Sequence, residues 1–404
     1  MSFGALSDIK ILDLTQMLSG PYATQMLADQ GAEVIKIEPP RGDMIRPAGP
    51  FRADDKDKTH GAYFQSVNRN KRGICLDLKT EAGKDVLKRL VRDADVLVEN
   101  FRAGVMEKLG LSYETLIAEN PKLVYGALRG FGDPRTGESP YTNWPAYDVT
   151  AQAMGGLIGI TGADEDSPTK IGPGLGDIIP GMMLSFGILA ALHHAQKTGQ
   201  GQFVDVAMTD SILAVCERII YQHSIDGSVP KPEGNFHPFL CPFGLYPARD
   251  GWVTIAAPRD EFFEMLAKNL DADDLLEDPR FAGQLARIQN KDALNARLCE
   301  LTKLHSKAAL TEMLGGLLPY GPVMTMAELP DDPHIKSREM IVDIEQPGSA
   351  RPLSVAGVPV KMSETPGGVH TRAPGKGEHG DEILKEASFS EAEIAELRDA
   401  GAFG

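Results

Sequence analysis

The chain has little positive charge and few cysteines, and each shortage excludes classes of function. Among its 404 residues, 41 are Lys or Arg and 57 are Asp or Glu, so the formal net charge is −16. Nucleic acids and anionic membranes are bound by concentrated positive charge, so we expect neither as a partner. The four cysteines, at positions 75, 216, 241 and 299, have no CxxC spacing, and the sequence therefore predicts neither a disulfide framework nor a zinc site.

Long apolar runs and clustered histidines are also missing. The longest apolar run, 181–192, is shorter than the roughly 20 residues that a membrane-spanning helix needs. Residues 1–14 show no basic stretch followed by an apolar segment, so no signal peptide is predicted. His193 and His194 are adjacent, and adjacent residues do not share a helix face, so we predict no metal site there. These features favour a cytoplasmic protein without a membrane partner.

Short β-rich runs alternate with helical patterns in the first half of the chain. Candidate strands lie at 9–14, 33–38, 73–78, 96–100, 124–128 and 203–207, and candidate helices between them include 22–30, 81–94 and 112–119. This alternation predicts an open α/β sheet with parallel strands covered by helices. Thr80 and Ser112 are the expected N-caps of two of these helices. A Pro- and Gly-bearing stretch at 227–244 indicates a domain boundary, after which a smaller α/β or α+β unit is expected.

A glycine-rich segment, IGPGLGD at 171–177, ends in Asp177 where a helix is predicted to begin. It matches neither the phosphate loop nor the dinucleotide fingerprint. Its glycines leave room around Asp177, and a desolvated carboxylate held at attack distance from an activated acyl carbon can act as a nucleophile. N–H groups at the helix start would then stabilise the oxyanion. The alternative is that Asp177 only caps its helix, which the spacing alone favours.

Basic residues cluster locally despite the net negative charge. Two interpretations stay open: a solvated loop face, or a pocket for the phosphates of a cofactor, which Arg and Lys suit. The residues concerned are Arg41, Arg46, Arg69, Lys71, Arg72 and Lys79.

Several motifs follow one another in a fixed order from about residue 8 to about residue 387. They are 19–38 (SGPYATQMLADQGAEVIKIE), 70–79 (NKRGICLDLK), 95–101 (DVLVENF), Tyr147-Asp148, Gly176-Asp177, 197–208 (KTGQGQFVDVAM), 320–323 (YGPV) and 377–379 (GEH). Together they resemble the class III CoA-transferases of CaiB/BaiF type, the family of formyl-CoA transferase and carnitine CoA-transferase. This resemblance implies a Rossmann-like large domain made from 1–227 and 326–404, a small domain at 228–325, and a homodimer of interlocked chains.

The resemblance also implies a reaction and a set of site residues. Asp177 would attack an acyl-CoA donor to form a mixed anhydride and then an aspartyl-CoA thioester, from which CoA passes to an acceptor acid. Tyr147 and Asp148 would lie beside this nucleophile. No tightly bound cofactor is implied, because CoA enters as part of the substrate. The implied CoA-contact positions are Leu18, Arg41, Leu76, Lys79, Asn100, Phe101 and Lys108.

Two departures from formyl-CoA transferase bear on the substrate. Leu18 stands where that enzyme has a glutamine, and the segment 236–246 (FHPFLCPFGLY) lacks its glycine-rich shielding loop. A small, very polar acid such as oxalate is therefore disfavoured, and the resemblance in the small domain favours succinyl-CoA with dicarboxylate acceptors. Phe236, Phe239, Leu240 and Phe243 suggest either a pocket for a larger acyl chain or part of the small-domain core.

Other functions remain open on this sequence. An α-methylacyl-CoA racemase of the same fold would carry a histidine where this chain has Tyr147, and an unactivated phenol with a pKa near 10 is a poor base at neutral pH. A non-catalytic CoA-binding protein is disfavoured by the intact Asp177. A dinucleotide dehydrogenase is disfavoured because no GxGxxG follows the first strand.

Overall fold

The computed structural model describes residues 3–56, 58 and 60–403. By the contacts within it, the chain divides into two compact units. The first contains the described parts of 1–157, 171–221 and 333–404, and the second contains 158–170 and 222–332. The domain limits expected from the sequence, 1–227, 228–325 and 326–404, stay a prediction.

A six-stranded parallel sheet forms the centre of the first unit. Its strands lie in the order β3-β2-β1-β4-β5-β6, so the chain reverses its direction of progress between β1 and β4. This is the strand order of dinucleotide-binding folds, and it confirms the predicted open α/β sheet. The strands are β1 (Lys10–Asp13), β2 (Glu33–Glu38), β3 (Lys71–Cys75), β4 (Val96–Glu99), β5 (Val124–Arg129) and β6 (Phe203–Ala207).

Helices pack on this sheet because its strands are apolar on both faces. Ile11, Leu12, Val96 and Leu97 are fully buried, as parallel strands covered on two sides require. Thr80 accepts the Gly83 N–H at 3.0 Å, and Ser112 accepts the Thr115 N–H, so both predicted N-caps are confirmed. The helices found along the chain up to residue 226 are α1 (Ser19–Asp29), α2 (Ala62–Val67), α3 (Glu81–Arg92), α4 (Val105–Lys108), α5 (Tyr113–Glu119), α6 (Asp148–Met154), α7 (Leu175–Thr198), α8 (Met208–Val215) and α9 (Glu217–Asp226).

Helix α7 is the longest of the described helices, and it packs against α1, β5 and β6. It is longer than the apolar run counted from the sequence. By length and composition it would suit a membrane span, and 44% of its most apolar window is buried within the protein. The buried side chains Leu184, Ile188, Ala191 and Leu192 lie on one face, which is the pattern of a helix packed on a core.

The second unit is built on a three-stranded antiparallel sheet with the order β7-β8-β9. Phe236 packs against its core, with its ring 5.4 Å from that of Tyr246, whereas Phe239 and Phe243 are exposed. The apolar set of 236–243 thus belongs only in part to the core. The elements are β7 (Phe243–Ala248), β8 (Gly251–Ala256), α10 (Asp260–Asn269), α11 (Asp274–Glu277), α12 (Gln284–Gln289), α13 (Lys291–Thr302), α14 (Lys307–Leu314) and β9 (Tyr320–Pro322).

The C-terminal segment returns to the first unit. It contains α15 (Pro333–Ser337), a two-stranded antiparallel pair made by β10 (Ile341–Ile344) and β11 (Leu353–Ala356), and then α16 (Gly380–Glu386) and α17 (Glu391–Asp399). Ile383, Leu384 and Ile394 enter the same core as the sheet.

Candidate active site

The candidate site lies at the carboxyl ends of the parallel strands, next to the reversal between β1 and β4. Open α/β sheets bind ligands at this place because the loops after the two strands diverge there. Here the two loops are joined: the Asn100 side chain accepts the Gln16 N–H at 2.9 Å and donates to the Gln16 carbonyl at 2.7 Å. Asn100, expected to contact CoA, therefore also holds the loop after β1 against the loop after β4.

Buried charged side chains hold the loop after β1 in place. Met17 has a φ of 69°, a backbone conformation that side chains other than glycine seldom adopt. Its N–H donates to Asp43 at 3.2 Å, and Asp43 pairs with Lys36 at 3.1 Å. Lys36 also donates to the Thr15 carbonyl at 2.5 Å. Moving either Lys36 or Asp43 away would leave the other charge buried and unpaired, which is energetically costly. The ion pair and its hydrogen bonds therefore hold the loop after β1 in one backbone conformation.

Most of the clustered basic residues are neither a solvated face nor a phosphate pocket. Three of them are buried in ion pairs: Arg46 with Glu38 at 2.5 Å, Arg69 with Asp29 at 2.7 Å, and Lys71 with Asp13 at 2.9 Å. Arg72 pairs with Glu386 at 2.5 Å. Arg41 and Lys79 are exposed. The sequence could not separate these cases, because the acidic partners of Arg69, Lys71 and Arg72 lie 40 or more positions away along the chain.

Asp177 lies in the first turn of α7 without capping it. The N-cap is Gly174, and no side chain accepts a capping hydrogen bond there. The N–H groups that precede the carboxylate are also occupied: Leu175 donates to the Pro173 carbonyl at 2.8 Å, and Asp177 donates to the Gly174 carbonyl at 3.1 Å. The capping interpretation is therefore wrong, and the expected oxyanion donors at the start of α7 already have partners.

Glycines bring three elements together around Asp177. A Cβ on Gly176 would lie 2.3 Å from the Asp148 carbonyl oxygen, and one on Gly181 would lie 2.7 Å from the Ser19 carbonyl oxygen. Only glycine permits both approaches, of α6 and of α1, to the first turns of α7. A Cβ on Gly174 would lie 3.0 Å from the Leu18 side chain. Leu18, expected near CoA, thus adjoins the glycine-rich loop.

The electrostatic environment of Asp177 differs from that of an ordinary carboxylate. Burial raises its pKa first, and the nearby Asp148 carboxylate raises it further, while a hydrogen bond from the Ser19 hydroxyl opposes both effects. The resulting pKa is about 7. Within the described part of the chain Asp177 has no ion-pair partner. A carboxylate with this pKa is more basic than usual and still largely ionised in slightly alkaline solution.

The structure brings together part of the predicted site. Asn100, Phe101, Tyr147 and Asp177 line one cleft, together with Gln16, Met17, Ser19, Met44, Arg102, Ala103, Leu128, Arg129, Gly130, Thr142, Trp144, Pro145, Ala146 and Met208. Asp148 lies directly behind it, with its Oδ1 accepting the Gly176 N–H at 2.8 Å.

The other predicted CoA positions lie outside this cleft lining. Leu76 is 1% exposed and packs in the sheet core, so only its backbone remains for a CoA contact. Lys79 is exposed in the loop after β3, Arg41 is exposed in the loop after β2, and Lys108 is exposed at the end of α4. All of these loops follow carboxyl ends of strands in the same sheet.

Sequence reasoning missed several residues at this site. Ser19 hydrogen-bonds to Asp177, and the charge of Asp177 is a cause, after burial, of the raised pKa of the Tyr63 phenol. Arg129 lines the cleft and pairs with buried Glu99 at 2.5 Å, while Glu99 accepts the Phe101 N–H at 2.7 Å. The one usable signal was position: Glu99 and Arg129 lie at or next to the ends of predicted strands, whereas Ser19 lies before the predicted start of its helix at residue 22.

Among the residues that the structure describes, no group of three or more His, Cys, Asp or Glu side chains could hold a metal ion. His193 and His194 are exposed on α7.

Comparisons with known proteins agree with this fold. A family model described as CoA-transferase family III matches residues 6–380. The chain is 48% identical to a succinyl-CoA:mesaconate CoA-transferase of Haloarcula hispanica, covering 95% of this chain and 96% of that protein. It is 36% identical to a succinyl-CoA–D-citramalate CoA-transferase of Chloroflexus aurantiacus, covering 97% and 96%. A solved CaiB/BaiF family protein from Brucella suis superposes with a TM-score of 0.85 at 36% identity, covering 95% of this chain and 100% of that one.

These matches define the class of the protein. The chain belongs to CoA-transferase family III, and it is an enzyme that moves CoA from an acyl-CoA donor to a carboxylic acid acceptor.

Proposed function

We propose that the enzyme transfers CoA from succinyl-CoA to a dicarboxylic acid acceptor, with mesaconate as the first candidate, and that Asp177 carries the acyl group and CoA in turn. The observation that carries the proposal is the Asp177 carboxylate at the cleft, with its pKa raised to about 7 and with glycines around it. The activities named for the relatives of Haloarcula and Chloroflexus support this donor and this class of acceptor.

The first half of the reaction loads CoA onto the enzyme. A carboxylate oxygen of Asp177 attacks the thioester carbonyl carbon, the C–S bond breaks, and CoA leaves as a thiolate. The product is a mixed anhydride between Asp177 and the succinyl group. The thiolate then attacks the aspartyl carbonyl carbon, succinate leaves, and an aspartyl-CoA thioester remains.

The second half repeats these steps in the opposite direction. A carboxylate oxygen of the acceptor attacks the aspartyl thioester, and the CoA thiolate leaves again. The thiolate then attacks the acceptor acyl carbon of the new anhydride, which restores the Asp177 carboxylate and releases the new acyl-CoA. Each step exchanges one acyl bond for another, so no ATP and no tightly bound cofactor are needed.

The residues around Asp177 have distinct tasks in this scheme. Asp148 and burial keep the carboxylate basic, and the Ser19 hydroxyl limits its rotation by hydrogen bonding. Tyr147 is 56% exposed at the cleft, where an aromatic ring would cover the reacting acyl group. The attacking oxygen and the thioester carbon must be positioned with a precision of a few tenths of an ångström. Holding the carboxylate in place therefore lowers the barrier of the chemical steps.

The acceptor is identified by a substrate panel. The purified enzyme is incubated with succinyl-CoA and one acid at a time, and new acyl-CoA species are measured by chromatography and mass spectrometry. We expect kcat/KM with mesaconate or a related dicarboxylate to exceed that with oxalate or monocarboxylates by at least about 100-fold. Equal rates with all acids, or transfer only to oxalate, would contradict the proposed acceptor class.

We also propose that two copies of the chain form a homodimer. The face of α7 that does not pack on the sheet carries Met182, Phe186 and Leu189, which are 42%, 76% and 41% exposed. They are spaced by three and four residues and therefore share one face of the helix. Large apolar side chains in such a row are typical of obligate interfaces, and a second copy of this chain is the partner that the family resemblance favours.

A further inference from the structure

A fully buried glutamine lies behind the nucleophile and is not part of the cleft. Gln152 is 0% exposed and lies one helical turn after Asp148 on α6. Both ends of its side-chain amide are bonded. Its Oε1 accepts the Ile171 N–H at 3.1 Å, and its Nε2 donates to Asp148 Oδ1 at 2.8 Å.

These bonds reach both ends of the glycine-rich loop. Ile171 is the first residue of the segment 171–177, and the Gly176 N–H donates to the same Asp148 oxygen at 2.8 Å. The amide of Gln152 and the carboxylate of Asp148 therefore clamp the loop at its start and directly before Asp177. Gly172 and Gly174 give this loop wide conformational freedom on either side of Pro173, so its anchors decide where it ends.

The clamp also orients the charge behind the nucleophile. Asp148 Oδ1 has two donors, from Gln152 and from Gly176, which fixes the carboxylate plane relative to Asp177. Without the Gln152 amide, Asp148 would lose one donor and the Ile171 N–H would lose its acceptor. Both effects would shift Asp177, and a displacement of about 1 Å in a reacting group can cost about 100-fold in rate.

We infer that Gln152 is a positioning residue of CoA transfer, acting through Ile171 and Asp148 to hold Asp177 at attack distance from the thioester. This inference rests on the proposed function, because it assumes that Asp177 is the group that attacks. Gln152 touches no substrate, so its loss affects the chemical steps and leaves the affinity for CoA nearly unchanged.

The test uses two variants of the full chain. Gln152→Met keeps the volume and removes both hydrogen bonds, whereas Gln152→Glu keeps an acceptor for Ile171 and removes the donor to Asp148. The matched control is Gln25→Met, since Gln25 is another buried glutamine and accepts the Arg69 N–H at 3.2 Å outside the cleft. We measure kcat and KM with succinyl-CoA and mesaconate, the Kd of CoA by calorimetry, and folding by circular dichroism.

We expect both Gln152 variants to lose about 100-fold or more in kcat, with the KM for succinyl-CoA and the Kd of CoA within about threefold of wild type. The control should retain kcat within about threefold. A folded Gln152→Met variant with wild-type kcat would overturn the inference. Loss of the folded state in both Gln152 variants would overturn it too, since Gln152 would then belong to the fold. Failure of the proposed function is distinguishable, because wild type itself would then show no transfer.

Discussion

At the residue scale, the proposed mechanism makes the raised pKa of Asp177 a compromise between two needs of the reaction. A nucleophile must be ionised to attack, but a strongly stabilised carboxylate is a poor nucleophile. Burial and the Asp148 charge place the pKa at about 7, far above the usual value of 3.8. The carboxylate is thus kept reactive at the cost of stability in the free enzyme, as is common at active sites.

This leads to a pH-dependent prediction for Asp177→Asn. Because the folded-state pKa is raised, the protonated form is favoured on folding, so the associated stability is present below the unfolded pKa and is lost as pH rises through about 7. The asparagine variant never ionises. We therefore expect it to be more stable than wild type, by an amount that grows from near zero at about pH 4 to a plateau above about pH 7 on the order of 2 kcal/mol, after allowance for partial exposure.

Denaturant unfolding of both proteins at several pH values measures this difference. The control is Asp164→Asn, since Asp164 is exposed. A stability difference that is flat with pH, or one that shrinks as pH rises, would show that Asp177 is not held with a raised pKa.

At the element scale, the start of α7 combines close packing against two other helices with the position of the Asp177 carboxylate. Gly176 and Gly181 allow α6 and α1 to approach this helix at distances that a Cβ would prevent. The glycines therefore define where the Asp177 carboxylate can lie, and the side chains around it adjust to that frame.

A pair of alanine substitutions in one loop tests this role. Gly176→Ala would place a Cβ 2.3 Å from the Asp148 carbonyl oxygen, whereas a Cβ on Gly172 meets nothing within 4 Å. We expect Gly176→Ala to lower kcat by about 100-fold or more because α6 and α7 must separate. Gly172→Ala should stay within about threefold of wild type in a steady-state assay. Equal activity of the two variants would refute the packing argument.

The elements themselves could largely be predicted from the sequence. Six β-rich runs predicted the six strands, since buried parallel strands are rich in Val, Ile and Leu. The largest disagreement is at β3, predicted at 73–78 and observed at Lys71–Cys75. Lys71 is charged, which is typical of a loop residue, but its side chain is buried in an ion pair with Asp13. Residues 208–226 form two helices, α8 and α9, which are separated by Cys216.

Some elements and site contacts carried no usable sequence signal. Strand β7 was not predicted, because it contains Pro247 and proline is typical of loops. The clamp of Gln152 and Asp148 on the glycine-rich loop depends on side chains 19 and 28 positions from their backbone partners. Neither pairing follows from helical or strand periodicity, which describes only neighbours along the chain. Asp177 could be proposed as the nucleophile from the sequence because its glycine setting and the family motif mark it directly.

At the scale of the whole molecule, the sheet explains why distant motifs form one cleft. Residues that follow β1, β4, β5 and β6 all lie at one edge of a single parallel sheet, and α7 brings Asp177 to the same edge. The exposed apolar face of α7 is the other large-scale feature, and it is the observation that supports the proposed homodimer.

Light scattering of the purified protein tests the proposed homodimer. We expect wild type to have about twice the chain mass of 43.6 kDa. Phe186→Glu should weaken or abolish the dimer, since a charge would then be buried in an apolar interface. Leu285→Glu is the matched control, because Leu285 is 77% exposed and Phe186 is 76% exposed. A monomeric wild type, or an equal effect of both substitutions, would contradict the proposed homodimer.

The covalent role of Asp177 is the central claim, and trapping of the intermediate tests it most directly. The enzyme is incubated with succinyl-CoA, quenched with hydroxylamine, digested and mapped by mass spectrometry. We expect a hydroxamate on Asp177 in wild type and none in Asp177→Ala, which should also lose transfer while it still binds CoA. A hydroxamate on another residue, or full turnover of Asp177→Ala, would contradict the claim.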